Sequence, residues 1–259
     1  MGIINVTPDS FYDGGKTTQH DSILQQAEKM LTEGATFLDI GGYSSRPNAT
    51  DISEAEEIAR VVPAIESILK EFPKAFISID TFRSRVAKKA VEAGACMVND
   101  ISGGTIDTTM FTIVAEMHVP YILMHMRGTP QNMTQQTAYN NVTLEVIQFF
   151  SEQLAIARKA GVTDVIIDPG FGFAKTKEQS FELLQKMELL QQLDTPILAG
   201  VSRKSMISKT LAISAKEALN GTTVLNTLAL QKGTSILRVH DVKEAMECIK
   251  LTQMLTPYL

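Results

Sequence analysis

The chain has 259 residues, of which 44% are hydrophobic and 20% are charged, and its net charge is −5. This composition is typical of a folded globular domain and excludes disordered and fibrous classes. Only two cysteines occur, Cys96 and Cys248, which excludes a disulfide framework and favours a reduced, cytoplasmic location. No apolar run approaches the roughly 18 residues of a membrane span, no signal-peptide pattern is found, and the mild acidity argues against nucleic-acid binding.

Eight short runs of β-branched and apolar residues alternate with amphipathic segments along the chain. In chain order, the predicted strands span residues 2–6, 36–40, 75–80, 97–100, 121–125, 165–168, 197–201 and 236–239. The segments between them carry apolar residues at helical spacing, which predicts a helix after each strand. Ser53 with Glu56, and Asp241 with Glu244, predict capping boxes at the start of two of these helices.

Eight strand–helix units of about 32 residues each match the size of a closed parallel barrel. We therefore predict a single-domain α/β protein, a TIM-type (β/α)8 barrel over residues 1–259. A doubly wound open sheet has the same local pattern, but polar residues at the carboxyl ends of nearly all strands converge only if the sheet closes. These strand-end residues are Asn5, Asp39, Asp80, Asn99, Asp100, His125, Asp168, Arg203, Arg238 and His240.

Asp80, Asn99 and Asp168 lie at three different strand ends, where buried carboxylates are costly unless they are paired or hydrogen-bonded. One interpretation is a structural network of ion pairs. The other is a pocket of acceptors for a ligand rich in N–H donors, such as a 2-amino-4-oxo heterocycle. His125 also allows two interpretations, a wall of the site or a satisfied core residue.

Basic residues follow the last two predicted strands, Lys204 after the seventh and Arg238 and His240 after the eighth. Barrel enzymes commonly bind phosphate with the loops after these two strands. Arg46, in a loop with two glycines and two serines, adds a fourth basic residue, whose guanidinium can fork onto an anion. These positions predict a phosphate site beside the acceptor pocket.

Taken together, these segments resemble the dihydropteroate synthases, a family of pterin-binding enzymes. Eight motifs carry the resemblance, in the family's order, at residues 5–15, 41–47, 78–81, 99–101, 124–130, 168–173, 202–205 and 238–240. Family members are (β/α)8 barrels that condense 6-hydroxymethyl-7,8-dihydropterin pyrophosphate with p-aminobenzoate in the presence of Mg²⁺. The resemblance implies that activity for this chain, together with Mg²⁺ as cofactor, sensitivity of the family to sulfonamides and a homodimeric assembly.

The resemblance also implies a role for individual residues. The residues implied to hold the pterin are Asp80, Asn99, Met124, Asp168, Phe173 and Lys204. Those implied to bind the pyrophosphate are Ser45, Arg46, Arg238 and His240, and the one implied to ligate Mg²⁺ is Asn5. Those implied to form the aminobenzoate pocket and its covering loops are Phe11, Asp13, Pro47 and Ser205.

Three positions depart from the family pattern. Tyr43 and Ser45 stand where many members have glutamate and threonine, and Asn48 replaces a common glycine. Two alternatives remain open: a methyltetrahydrofolate-binding methyltransferase barrel, and a catalytically silent pterin-binding paralogue. The first needs no pyrophosphate residues, so the presence of Arg46 and Arg238 argues against it, and the intact first two loops argue against the second.

Overall fold

The strands of the structure agree with the predicted strands to within about two residues. The structure is a computed structural model, and it describes residues 1–6, 16–44 and 51–255. Its strands are β1 (Gly2–Asn5), β2 (Phe37–Gly41), β3 (Phe76–Asp80), β4 (Met97–Asp100), β5 (Tyr121–Met124), β6 (Val165–Asp168), β7 (Ile197–Ala199) and β8 (Thr234–Leu237). The eighth begins two residues earlier than predicted, because its pairing with β7 starts at Thr234.

Helices follow the strands throughout the described residues. They are α1 (Lys16–Thr32), α2 (Glu54–Glu71), α3 (Ser84–Glu92), α4 (Met110–Met117), α5 (Val142–Lys159), α6 (Lys177–Gln185), α7 (Ser205–Leu211), α8 (Leu219–Gln231) and α9 (Val242–Gln253). Two helices, α7 and α8, stand between β7 and β8, where the sequence pattern predicts one. None of the helices in the described ranges is long and apolar enough to cross a membrane.

All eight strands are parallel and pair in chain order from β1 to β8. The sheet closes on itself because Val239, just beyond β8, forms a parallel bridge with Gly2 of β1. The Ile3 amide donates to the Val239 carbonyl at 3.0 Å, and the Val239 amide donates to the Met1 carbonyl at 2.9 Å. The predicted (β/α)8 barrel is thus confirmed, and all strand carboxyl ends lie at one face of it.

Residues two positions apart on a strand point to the same side of a sheet, which divides the barrel interior into two layers. The lower layer is an apolar cluster near the start of the strands, made of Met1, Phe37, Met97, Ile122, Ile166, Leu198 and Ile236. The upper layer follows two residues later on the same strands and comprises Asp39, Asn99, Met124, Asp168 and Arg238. The lower layer fills the barrel, and the upper layer forms the floor of the candidate site.

The two predicted helix caps have different outcomes. Ser53 caps α2, because its hydroxyl accepts the Glu56 amide at 3.2 Å, which is half of the predicted capping box. The Glu56 carboxylate bonds to Arg60 at 2.6 Å. The prediction for Asp241 is wrong: its side chain makes no cap bond to α9. Its carboxylate instead accepts two bonds of 2.8 Å from the Arg203 guanidinium, and such a charge-assisted pair competes well with a single backbone donor.

Candidate active site

A cavity of about 1620 Å³ opens at the carboxyl ends of the strands. Its lining includes the last residues of β1 and β3 and residues that follow β2, β6, β7 and β8, because the parallel barrel brings these strand ends to one face. The lining residues that the sequence predicts for the site are Asn5, Asp80, Phe173, Lys204, Ser205, Arg238 and His240. The structure therefore brings these seven predicted residues together around one space.

Arg238 joins two carboxylates at the floor of this cavity. Its Nε donates to Asp39 Oδ2 and its Nη2 to Asp80 Oδ2, both at 2.6 Å. Asp39 is completely buried, whereas about a fifth of the Asp80 side chain remains exposed. Burial raises the pKa of the Asp80 carboxyl, although the Arg238 guanidinium opposes this rise. One cation thus pairs with two carboxylates. A ligand that binds Asp80 would therefore change the electrostatic interactions of Asp39 and Arg238 as well.

Asn99 is tied into the same network through its amide. Its Nδ2 donates to Asp39 Oδ2 at 2.9 Å, and the side chain is buried. The other carboxylate oxygen, Asp39 Oδ1, is buried and has no hydrogen-bond partner among the described residues. Because one Asn99 amide hydrogen is committed to Asp39, the orientation of the Asn99 side chain is set, and its carbonyl oxygen can accept from a ligand.

Asp168 and Lys204 form the opposite side of the floor. Asp168 Oδ1 accepts the Gly170 amide at 2.8 Å. Burial raises the pKa of the Asp168 carboxyl, and the nearby Lys204 cation opposes the rise. Lys204 donates to the Phe171 carbonyl, and its ammonium lies 4.5 Å from the centre of the Phe173 ring. Burial lowers the pKa of Lys204 to about 8, with Asp168 opposing.

Apolar side chains wall the space above these polar groups. Met124 is buried in a cluster with Tyr43, Phe82 and Ile101, against which Phe173 packs. The Tyr43 hydroxyl accepts from Gln131 Nε2 at 2.5 Å, and its ring meets that of Phe82 edge-on at 5.0 Å. Tyr43, a departure from the family pattern, therefore joins the end of β2 to the segment between β5 and α5. Such walls suit a flat ring whose edge carries N–H groups.

Two predicted residues lie at the rim rather than the floor. Ser205 is the first residue of α7 and is exposed, as is His240, whose amide donates to Ser202 Oγ at 3.2 Å. Five further predicted residues lie outside the described residues, namely Phe11, Asp13, Ser45, Arg46 and Pro47. Nothing in the geometry therefore bears on the predicted covering loops.

His125 is a core residue and does not wall the cavity. It is buried, and its ring packs edge-on against Phe149 at 4.8 Å and contacts Phe150 and Tyr139. Burial holds the pKa of His125 well below its ordinary value, so the ring is neutral. The prediction left two interpretations open, and the structure favours the satisfied core residue.

Two polar residues of the site are absent from the predicted set. Asp39 binds both Asn99 and Arg238, and the signal for it was available, because it is an acid near a strand end. Lys175 is buried beneath the turn that follows β6, and its only signal was a lysine beside glycines and aromatics. A local pattern cannot show that such a lysine turns inward.

Asn5 offers the predicted Mg²⁺ site one amide oxygen, a hard ligand of the kind that this ion prefers. Within the described ranges, no group of three or more acidic, histidine or cysteine side chains could hold a metal. Mg²⁺ commonly retains several waters and binds through few protein ligands together with substrate phosphates. The residues present therefore fit a Mg²⁺ ion that arrives with a phosphorylated substrate.

Known proteins are similar to this chain in sequence and in fold. Residues 1–240 match the model of a family described as "Pterin binding enzyme". A dihydropteroate synthase from Synechocystis sp. is 44% identical over 258 residues, which cover 98% of this chain and 89% of the relative. A Yersinia pestis dihydropteroate synthase, solved with a sulfonamide drug, superposes with a TM-score of 0.92 at 37% identity, covering 99% of this chain and 93% of that one. A Xanthomonas albilineans dihydropteroate synthase, solved with 4-aminobenzoic acid, has the same TM-score and identity, covering 98% and 92%.

Proposed function

This chain belongs to the pterin binding enzyme family, and on that premise we propose that it catalyses the dihydropteroate synthase reaction. The reaction condenses 6-hydroxymethyl-7,8-dihydropterin pyrophosphate with p-aminobenzoate. The amine lone pair forms a bond to the pterin methylene carbon, the carbon–oxygen bond to pyrophosphate breaks with its electron pair, and the amine loses a proton. The products are 7,8-dihydropteroate and pyrophosphate.

The observation that carries this proposal is the division of charge in one cavity. Asp80 lines the cavity together with Lys204 and the basic residues that follow β8. The buried side chains of Asn99 and Asp168 add oxygen acceptors beside these lining groups: Asn99 bonds to Asp39, the partner of Arg238, and Asp168 lies near Lys204. The acceptors match the N–H groups of a pterin, and a carboxylate can take two such groups side by side. An anionic pocket also favours positive charge on the methylene carbon as the pyrophosphate leaves.

The chain's own residues divide the chemical work. Asp168 and Asn99 orient the pterin ring, and Met124 and Phe173 exclude water from its faces. Arg238 and His240 neutralise charge on the departing phosphates. Because an aromatic amine is neutral at pH 7 and attacks a highly electrophilic carbon, the reaction needs no strong general base.

The test is direct. Purified protein mixed with both substrates and Mg²⁺ should release pyrophosphate and form dihydropteroate, and omission of either substrate should abolish both. Protein that binds pterin but releases no pyrophosphate would support the silent paralogue. Methyl transfer from a methylated tetrahydrofolate in place of condensation would support the methyltransferase alternative.

We propose that Asn5 contributes to the binding of Mg²⁺. When bound, the ion would offset negative charge on the pyrophosphate. Asn5→Ala should raise the Mg²⁺ concentration needed for half-maximal turnover, while pterin affinity without Mg²⁺ stays unchanged. An unchanged Mg²⁺ requirement would remove Asn5 from the metal site. Full activity in excess chelator would remove Mg²⁺ from the reaction.

We also propose that p-aminobenzoate binds after the pterin pyrophosphate, in a pocket that Ser205 borders and that Phe11, Asp13 and Pro47 complete. The reason for this order is that the pyrophosphate, with Arg46 and with Mg²⁺ on Asn5, would supply the charged anchor that offsets the ordering entropy of the two loops. Equilibrium binding of labelled p-aminobenzoate should be weak alone and strong with pyrophosphate and Mg²⁺. Equal affinity under both conditions would show a preformed pocket.

A homodimer is the assembly that the exposed apolar side chains support. Val224 and Leu228, four residues apart on α8, are 50% and 40% exposed, and Leu251 on the neighbouring α9 is 72% exposed. Large exposed apolar patches commonly mark surfaces that bind another protein chain. Sedimentation should give a dimer for the native chain and a monomer for Val224→Glu.

Cys96 and Cys248 are free thiols, which supports the proposed cytoplasmic location.

A further inference from the structure

We propose that Lys175 is a positioning residue for the pterin pocket. Its buried ammonium binds backbone carbonyls of the turn after β6 and fixes the conformation of that turn, so that Asp168 and Phe173 face the ligand. The inference rests on the proposed function. It concerns a cation that makes no bond to the acids of the site and that the reaction itself does not use.

The Lys175 ammonium sits at the centre of four polar contacts. Nζ lies 2.8 Å from His125 Nδ1 and donates to the carbonyls of Gly170 and Phe173, both at 3.1 Å. A longer contact of 3.3 Å reaches the His125 carbonyl. The residue is only 7% exposed. Because an ammonium has three hydrogens in a tetrahedral arrangement, it can bind carbonyls that converge from different directions.

The turn that Lys175 holds is strained by its own shape. Gly170 and Ala174 both have positive φ, of 66° and 48°, and the second is uncommon for a residue with a side chain. This conformation aims the carbonyl oxygens of Gly170 and Phe173 at one point, where they repel each other. The ammonium satisfies them, and it thereby offsets the cost of the conformation.

The same turn carries the pterin-facing groups. The Gly170 amide donates to Asp168 Oδ1 at 2.8 Å, and the Phe171 carbonyl accepts from Lys204. The Phe173 ring lies 4.5 Å from the Lys204 ammonium. Lys175 bonds to Gly170 and Phe173, so it controls one backbone residue on each side of Phe171. If the turn changes conformation, the relative positions of Asp168, Phe173 and Lys204 change with it.

The protonation state of His125 agrees with this role. His125 can accept from the ammonium only if its ring is neutral, and burial holds the pKa of His125 well below its ordinary value. Burial also lowers the pKa of Lys175, whereas the Asp168 carboxylate opposes that change. Burial thus favours the neutral amine, whereas the Asp168 carboxylate and the three carbonyl oxygens that accept from Nζ favour the ammonium.

The test compares Lys175→Met, which keeps length and removes the cation, with Lys186→Met, the same change at an exposed lysine that pairs with Glu182. We expect Lys175→Met to raise the Kd for a pterin and the KM for its pyrophosphate by about 10- to 100-fold. The KM for p-aminobenzoate and kcat should change little, and Lys186→Met should match the native protein. A purely structural lysine would lower only the folded fraction, which reduces apparent kcat and leaves the KM unchanged; that result would overturn the proposal.

If Lys175→Met does not fold, Lys175→Arg provides the test. A planar guanidinium cannot reproduce the tetrahedral contacts, so we expect a several-fold higher pterin KM with kcat retained. A native KM in this variant would overturn the proposal. Native protein that binds pterin and forms no dihydropteroate would instead contradict the proposed function, since pterin Kd measures the role of Lys175 independently of turnover.

Discussion

The lower and upper layers of the barrel interior come from the same strands, two residues apart, yet their chemistry is opposite. Ile122, Ile166 and Leu198 pack against each other in the lower layer. Asp168 lies two residues after Ile166 and is buried. Its side chain is a carboxylate, which accepts a hydrogen bond from the Gly170 amide. The interior thus changes from a packed apolar core to a charged floor over about 7 Å of strand.

This difference separates stability from binding. Burial of the apolar side chains in the lower layer carries no desolvation penalty. Each charged side chain in the upper layer does carry such a penalty, which its partners must offset. Arg238 offsets two carboxylates at once, and Asp168 is offset by one backbone amide and by the nearby charge of Lys204. The upper layer is therefore the part of the core that gains from a ligand with N–H donors and an anionic tail.

Arg238→Ala should have the largest effect, because it leaves buried Asp39 without its cation. We expect a loss of about 3–5 kcal/mol in the free energy of unfolding, measured by urea denaturation. The matched control, Arg203→Ala, removes an arginine that pairs with the more exposed Asp241 and should cost about 1 kcal/mol. Equal losses would show that the upper layer does not depend on this ion-pair network.

In the folded fraction, Arg238→Ala should weaken binding of pterin pyrophosphate more than binding of a pterin without phosphates. Equal weakening of both ligands would assign Arg238 to the ring alone.

Ile122→Ala should lower stability without changing the site. Removing a fully buried side chain from the lower layer costs about 2–5 kcal/mol, and the milder Ile122→Val about 0.5–1.5 kcal/mol. Calorimetric titration at a temperature where the variant is folded should give native pterin affinity. A large loss of affinity would mean that the two layers are coupled, and the proposed division would be wrong.

Asp168→Asn should have the reverse outcome. The amide oxygen can still accept from Gly170, so the fold survives, but the charge is lost and an N–H₂ group can face the ligand's own donors. Charge-assisted bonds are worth about 1.5–3 kcal/mol, so pterin Kd should rise about 10- to 150-fold. Unchanged affinity with unchanged stability would remove Asp168 from the site.

The smallest expected effect is a pH dependence set by Lys204. Its lowered pKa, about 8, means that the cation is present below that pH and is lost above it. Affinity for the pterin pyrophosphate should therefore fall as pH rises through about 8. Ionisation of Asp80 also adds negative charge to the site as pH rises toward that value, and it would lower the affinity in the same direction. Lys204→Met separates the two causes, because it removes the titration of Lys204 and leaves that of Asp80. If the alkaline fall persists in Lys204→Met, another group causes it.

Much of the site was predictable because the barrel converts sequence order into spatial convergence. Once eight strands are recognised, their carboxyl ends must meet, and seven of the predicted residues that the structure describes do line the cavity. Pairing inside the site was not predictable. Arg238 and Asp39 are 199 residues apart, and no local spacing shows that Arg238 bridges two acids, or that Asp241 prefers Arg203 to its own helix.

The sequence by itself determined the period of the strands and helices, the barrel, the polar character of the strand ends and the family resemblance, since these follow from local patterns of apolar and polar residues. Only the tertiary structure decided which charges neutralise one another and which polar residues turn inward. Asp39 and Lys175 show the reason: the energy of a buried charge depends on partners brought close by folding. For Lys175 these partners include carbonyls of its own turn as well as His125, which follows β5.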